Sequence, residues 1–139
     1  MERAILRAAA LRLLRGLQSF VENSALGADG DGEIMYGSYI NSATDQFDFF
    51  EQHLCYRLRG QQICVPYVDI VSVELPAARR SRALLLMLQD GTVLRLTVTG
   101  RSAGMADRLQ LMHFFSQMRQ LLLAEQGAGD ERENQVPAG

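Results

Sequence analysis

ALLLMLQDGTVLRLTVTG, residues 83–100, is the stretch that decides the fold. Two apolar runs flank Asp90-Gly91, a dipeptide favoured in two-residue hairpin turns. Pairing about that turn sets Leu88 opposite Val93, Met87 opposite Leu94 and Leu85 opposite Leu96. Leu85, Met87, Leu94, Leu96 and Val98 then share one face, the expected core face. Leu84, Leu86 and Leu88 fall on the other face beside Arg95 and Thr97. That face is expected to be covered by another element or by a partner, including a second copy of the chain.

Downstream, residues 100–102 break the strand and offer Ser102 as a helix N-cap. A helix is expected over 103–124, with Met105, Leu109, Met112, Phe115, Met118 and Leu122 at helical spacing. Residues 125–139 are polar and rich in Gly and acidic residues, and are expected to lack stable structure. Upstream, strands are expected over 33–41, 47–58, 61–67 and 67–75, with Arg59-Gly60 as a tight turn and Pro66 marking an edge or bend. Residues 76–82 form a basic loop. Residues 3–22 carry an amphipathic helical pattern, with Ile5, Leu6, Ala9, Leu13, Leu17 and Phe20 on one side and arginines on the other. The stretch 25–33 is a Gly/Asp loop. The expected organisation is an N-terminal amphipathic helix over 1–24, a domain over 33–124 and a tail over 125–139. The class is α+β: an antiparallel sheet or barrel of six or seven strands with a C-terminal capping helix.

Composition narrows the function. The chain has 139 residues and a net charge of −2, which supplies no global positive field for nucleic acid. Its basic residues are all arginine, so no lysine nucleophile or Schiff base is available. Two cysteines are too few for a disulfide-built secreted scaffold, and the first residues lack the apolar core of a secretory signal. A cytoplasmic location is expected. No G-x-S-x-G, paired-carboxylate spacing or glycine-rich phosphate loop is present, and no enzyme is expected. No cofactor is expected either.

The phrase ICVPYVDIVSVEL (63–75), the leucine hairpin with QDGT and the Phe-containing helix together resemble the pleckstrin-homology-like superfamily, in its bacterial or GRAM-related branch, over residues 33–124. The resemblance implies a curved antiparallel barrel closed by the C-terminal helix, no enzymatic activity and a role in binding protein or lipid. The chain departs from the pattern at three points. Phe114 and Phe115 stand where the family commonly has a Trp. The turn NSATDQFD (41–48) carries Asp45 and Asp48 and no base, which argues against phosphoinositides. Six strands are counted where the family has seven.

Asp29, Asp31, Glu33, Asp45, Asp48 and Glu51 form a prospective acidic surface for a protein partner. In one version of this reading the chain is an immunity protein that neutralises a basic bacterial toxin by charge complementarity. Arg79, Arg80 and Arg82 read as a solvated turn or as an acidic-partner contact. The arginine-bearing N-terminal helix reads as packed on the domain, or as lying on a membrane surface. His53 and Cys55 share a strand face, and a two-residue Arg59-Gly60 turn sets Cys55 opposite Cys64. Two thiols beside a surface histidine, a redox-dependent link and a zinc site short of its fourth ligand all fit that spacing; no metal is expected.

Overall fold

The computed structural model describes residues 3–23, 32–78, 81–100 and 105–134. Helix α1 spans Arg3–Leu14 and helix α2 Met105–Asn134. Between them run β1 (Phe20–Glu22), β2 (Met35–Ser42), β3 (Asp45–Phe50), β4 (His53–Leu58), β5 (Gln61–Pro66), a single 3-10 turn (Tyr67–Asp69), β6 (Ile70–Glu74), β7 (Ala83–Leu88) and β8 (Val93–Thr97). The class is α+β, with β1–β5 in one antiparallel sheet and β6–β8 in a second, each in sequence order. The two sheets do not close into one barrel.

The expected N-terminal helix is shorter than its apolar pattern. Gly16 and Leu17 bond back to Leu13 and Leu14 in a tight final turn, and the chain then enters β1. Phe20 packs edge-on against Phe49 at 5.9 Å. Beneath it lies Gly37, where a Cβ would sit 2.5 Å from the Phe20 ring; only glycine lets β1 approach β2 so closely. The apolar side of α1 is packed. Leu6, Ala10, Leu11, Leu13 and Leu14 are buried against α2 and β2, each worth on the order of 1–3 kcal/mol for the larger side chains.

The expected long strand over 47–58 is two strands joined at Glu51 and Gln52. The inward residues change from odd (Phe47, Phe49) to even (Leu54, Tyr56) across this turn. A bulge near Tyr36 does the same within β2, burying Tyr36 and Tyr39 while Ile40 faces solvent. The next turn is as expected: Arg59 (φ 50°) and Gly60 (φ 82°) both take the left-handed region, as a type I′ turn requires.

The leucine hairpin forms, one residue out of the expected register. Ala83 faces Thr97, Leu84 faces Leu96 and Leu86 faces Leu94. The loop has three residues rather than two, since Leu88 N–H donates to the Thr92 carbonyl and Gly91 adopts φ 90°. Asp90 Oδ1 accepts the Thr92 amide at 2.9 Å and the Thr92 hydroxyl, holding the loop in this form. The slip turns over the faces of β7, while Leu96 and Val98 of the second strand and its continuation stay on the core side as expected. Leu84, Leu86, Leu96 and Val98 are the buried set, and Leu85 and Met87 are only half-buried.

Helix α2 continues to Asn134, into the segment expected to lack structure. Its buried stripe is Asp107, Arg108, Leu111, Phe114, Phe115, Met118 and Leu122; Met105 and Leu109 face solvent instead. The stripe begins with charged residues, which an apolar pattern cannot register. Ser102 lies outside the described residues. Among the described residues, no helix is long and apolar enough to cross a membrane.

Candidate functional site

Edges are where a sheet protein meets other chains, because the outer strand presents unpaired backbone donors and acceptors. Among the described residues four strands are edges: β1, β5, β6 and β8. Three are blunted. β1 has three residues and ends in Glu22, which is ion-paired to Arg15. β6 carries Glu74, shifts register near Val71 and has α2 packed along it. β8 has Arg95 at its centre.

β5 has none of these devices. Gln61-Gln62-Ile63-Cys64-Val65-Pro66 contains no charge, pairs with β4 without a register shift, and has every residue but Val65 exposed. Only Pro66, at its end, interrupts the donor pattern. Ile63 lies opposite the buried Tyr56 and so points to the core side, yet it is 51% exposed. The reason is the open seam between the sheets. A groove lined by Ile63, Val65, Pro66, Asp69, Leu88 and Thr92 runs between β5 and the β7–β8 loop. A second groove, of about 630 Å³, lies on the other flank, lined by Glu33, His53, Cys64, Pro66, Val68 and Leu122 among others. Cys64 and Pro66 border both.

The second groove holds a polar constellation. His53 Nδ1 lies 2.5 Å from Glu33 Oε2, and Glu33 Oε1 accepts the Gln52 amide at 2.6 Å. The His53 ring stacks on Phe50 at 4.6 Å. Cys55 faces Cys64 across β4 and β5, as the turn reading expects, and the two are joined as a disulfide with Cα atoms 4.0 Å apart. A ring nitrogen of His53 and both sulfurs lie within 4.8 Å of one another.

The prospective acidic surface is differently placed. Asp48 and Glu51 are each only 5% exposed. Asp48 accepts from Ser38 Oγ at 2.5 Å, Gln46 Nε2 at 3.1 Å and Arg57 Nε at 3.0 Å. Glu51 takes a two-pronged hydrogen bond from Arg3 at 2.6 Å and accepts the Ile34 amide at 2.8 Å. Asp45 accepts from Tyr56 Oη and Asn41 Nδ2. These carboxylates hold the fold together, because each faces a donor brought in by strand pairing or by α1. Glu33 borders the groove, whereas Asp29 and Asp31 lie outside the described residues.

Arg79 and Arg80 also lie outside the described residues, and Arg82 is exposed. Leu84 and Leu86 are fully buried and Leu88 packs against the core, so the face they form is covered within the chain and offers a partner no open leucine surface. Pro66 marked β5 as an edge or a bend, and it is an edge; what the sequence reading missed is its candidacy as a binding site, for which the signal available was the lack of any charge from Gln61 to Pro66.

No family model matches the chain, and no curated protein matches its sequence.

Proposed function

We propose that this chain is a non-enzymatic protein-binding module with a pleckstrin-homology-like fold, and that it receives an extended segment of a partner protein on β5. The carrying observation is that β5 is the one long, regular and uncharged edge among the described strands. An added strand satisfies the outer backbone groups and covers Ile63, while alternate side chains enter the two flanking grooves. The fold reading draws on element order. β2–β5, then β6–β8, then α2 give four strands, three strands and a helix, the seven-strand count of the family. Phe114 and Phe115 serve where a Trp is common, packing at 5.5 and 6.2 Å from Tyr67.

The partner surface thus moves from acid groups to a strand edge. A toxin-neutralising role would work through backbone pairing rather than through Asp45, Asp48 and Glu51. The membrane alternative loses its main support, since the leucines of α1 are packed within the domain.

Peptide display with the purified chain tests this, using a library of uncharged random decapeptides. Enriched peptides should alternate apolar residues and slow amide exchange along β5. Ile63→Lys should weaken them about 10–100-fold, the worth of one buried aliphatic side chain, with little change in Tm. Absence of enriched peptides, or equal binding to the variant, refutes the proposal. A wild-type dimer in sedimentation that Ile63→Lys dissociates would also overturn it, by making the occupant a second copy.

A further inference from the structure

We propose that His53, Cys55 and Cys64 form a redox-gated site for a thiolate-preferring divalent cation of the Zn²⁺ class. In the disulfide form the site is closed. In the dithiol form the two thiolates and His53 Nε2 supply three ligands, and the fourth position opens onto the groove.

The arrangement has more order than a disulfide needs. The type I′ turn at Arg59-Gly60 fixes the register that sets Cys55 against Cys64. His53 lies two residues before Cys55, on the same strand face, and one of its two ring nitrogens is within 4.8 Å of the sulfurs. Tetrahedral zinc with sulfur at about 2.3 Å and nitrogen at about 2.0–2.1 Å needs ligand atoms about 3.5–3.8 Å apart, within reach of side-chain rotation. Glu33 takes Nδ1 at 2.5 Å, which leaves Nε2 as the coordinating atom. A carboxylate on the far nitrogen is the usual support of a metal-binding histidine, and it fixes both tautomer and ring direction. Phe50, stacked on the ring, restrains it further. Gln62 Nε2 donates to Cys64 Sγ at 3.2 Å, a contact that stabilises a thiolate.

Exposure gives the gate a direction. Cys64 is exposed and Cys55 is 2% exposed, so an incoming thiolate reaches Cys64. A monothiol of the glutathione class attacks Cys64 Sγ, forming a mixed disulfide; Cys55 leaves as a thiolate and takes a proton. A second monothiol attacks the mixed disulfide at the reductant's sulfur and releases Cys64 as a thiol, so the reductant leaves as its own disulfide. Two electrons and two protons have then passed to the protein. The cation displaces both thiol protons as it binds.

Cobalt(II) titration of the full chain, reduced with a phosphine under anaerobic conditions, tests this. One equivalent should produce a thiolate-to-cobalt charge-transfer absorption that zinc abolishes, and the oxidised chain should stay silent. Cys64→Ser should lose the band. Glu33→Gln should bind about 10–100-fold more weakly, the usual cost of losing such a support. His53→Ala should change the visible ligand-field bands and weaken binding. The absence of a charge-transfer band in reduced wild type refutes the site, and that measurement needs no variant to fold. Unchanged affinity and spectrum in His53→Ala would remove the histidine and with it the proposal.

Discussion

Asp107→Ala should lower the free energy of unfolding by about 3–5 kcal/mol, read from urea denaturation. Asp107 opens the first turn of α2 and is 2% exposed. Its Oδ2 accepts the Tyr39 hydroxyl at 2.6 Å, and the carboxylate accepts the Gln18 amide at 3.2 and 3.3 Å. One side chain thus joins the start of α2, the segment after α1 and the middle of β2. Truncation takes the carboxylate acceptor away from the buried Tyr39 phenol and removes the Gln18 amide's bonds to Asp107, at about 1–3 kcal/mol for each lost partner. It also removes a negative charge from a helix N-terminus, worth up to about 1 kcal/mol. Asp107→Asn keeps an acceptor and loses the charge, so it should cost about half as much.

Burial, followed by the hydrogen bond to Asp107, raises the Tyr39 phenol well above its ordinary value. Since its folded-state pKa is the higher one, this contribution is complete below the unfolded pKa of about 10 and is lost progressively as pH climbs from there through the raised value. Gly100 borders the same site: a Cβ there would clash with Asp107 Oδ2 and lie 3.2 Å from Tyr39 Oη. A loss under about 1 kcal/mol in Asp107→Ala would mean that water replaces the carboxylate and that the junction is not a lock.

How much of this was legible depended on whether a contact is local. The Arg59-Gly60 turn was readable because two positive-φ residues fix a register by themselves, and with it the facing of Cys55 and Cys64. The Asp90-Gly91 turn invited the same logic and gave another register, because Asp90 binds the amide and hydroxyl of Thr92 and lengthens the loop. The end of α1 was hidden since Leu17 and Phe20 continue a helical stripe. The path of the chain beyond α1 is fixed instead by Asp107, far along the sequence, and by Gly37 beneath Phe20. Asp48 and Glu51 read as solvent-facing acids because Arg57 and Arg3 reach them only after strands pair and α1 docks. The β5 edge was written in its composition, but its significance depended on knowing that no strand lies beyond it among the described residues.

The hairpin register yields the second large effect. Leu84→Ala and Leu86→Ala should each cost about 2–5 kcal/mol, whereas Leu85→Ala and Met87→Ala should cost about 1 kcal/mol or less. Leu84 and Leu86 are fully buried, opposite Leu96 and Leu94, so truncation leaves a cavity in a core that also contains Leu96 and Val98. Leu85 and Met87 point to the other face, opposite Arg95 and Val93, where solvent fills the space. Side-chain direction alternates along a strand, so a slip of one residue exchanges the two pairs of costs. Urea denaturation of the four variants therefore reads the register directly. A two-residue Asp90-Gly91 turn would make Leu85→Ala and Met87→Ala the damaging pair. It would also return Leu84 and Leu86 to an open face, where a charged substitution would disturb partner binding and leave folding intact. The three-residue loop predicts the opposite for Leu86→Asp: a chain that does not fold, because a carboxylate would take the place of a fully buried leucine in the apolar core.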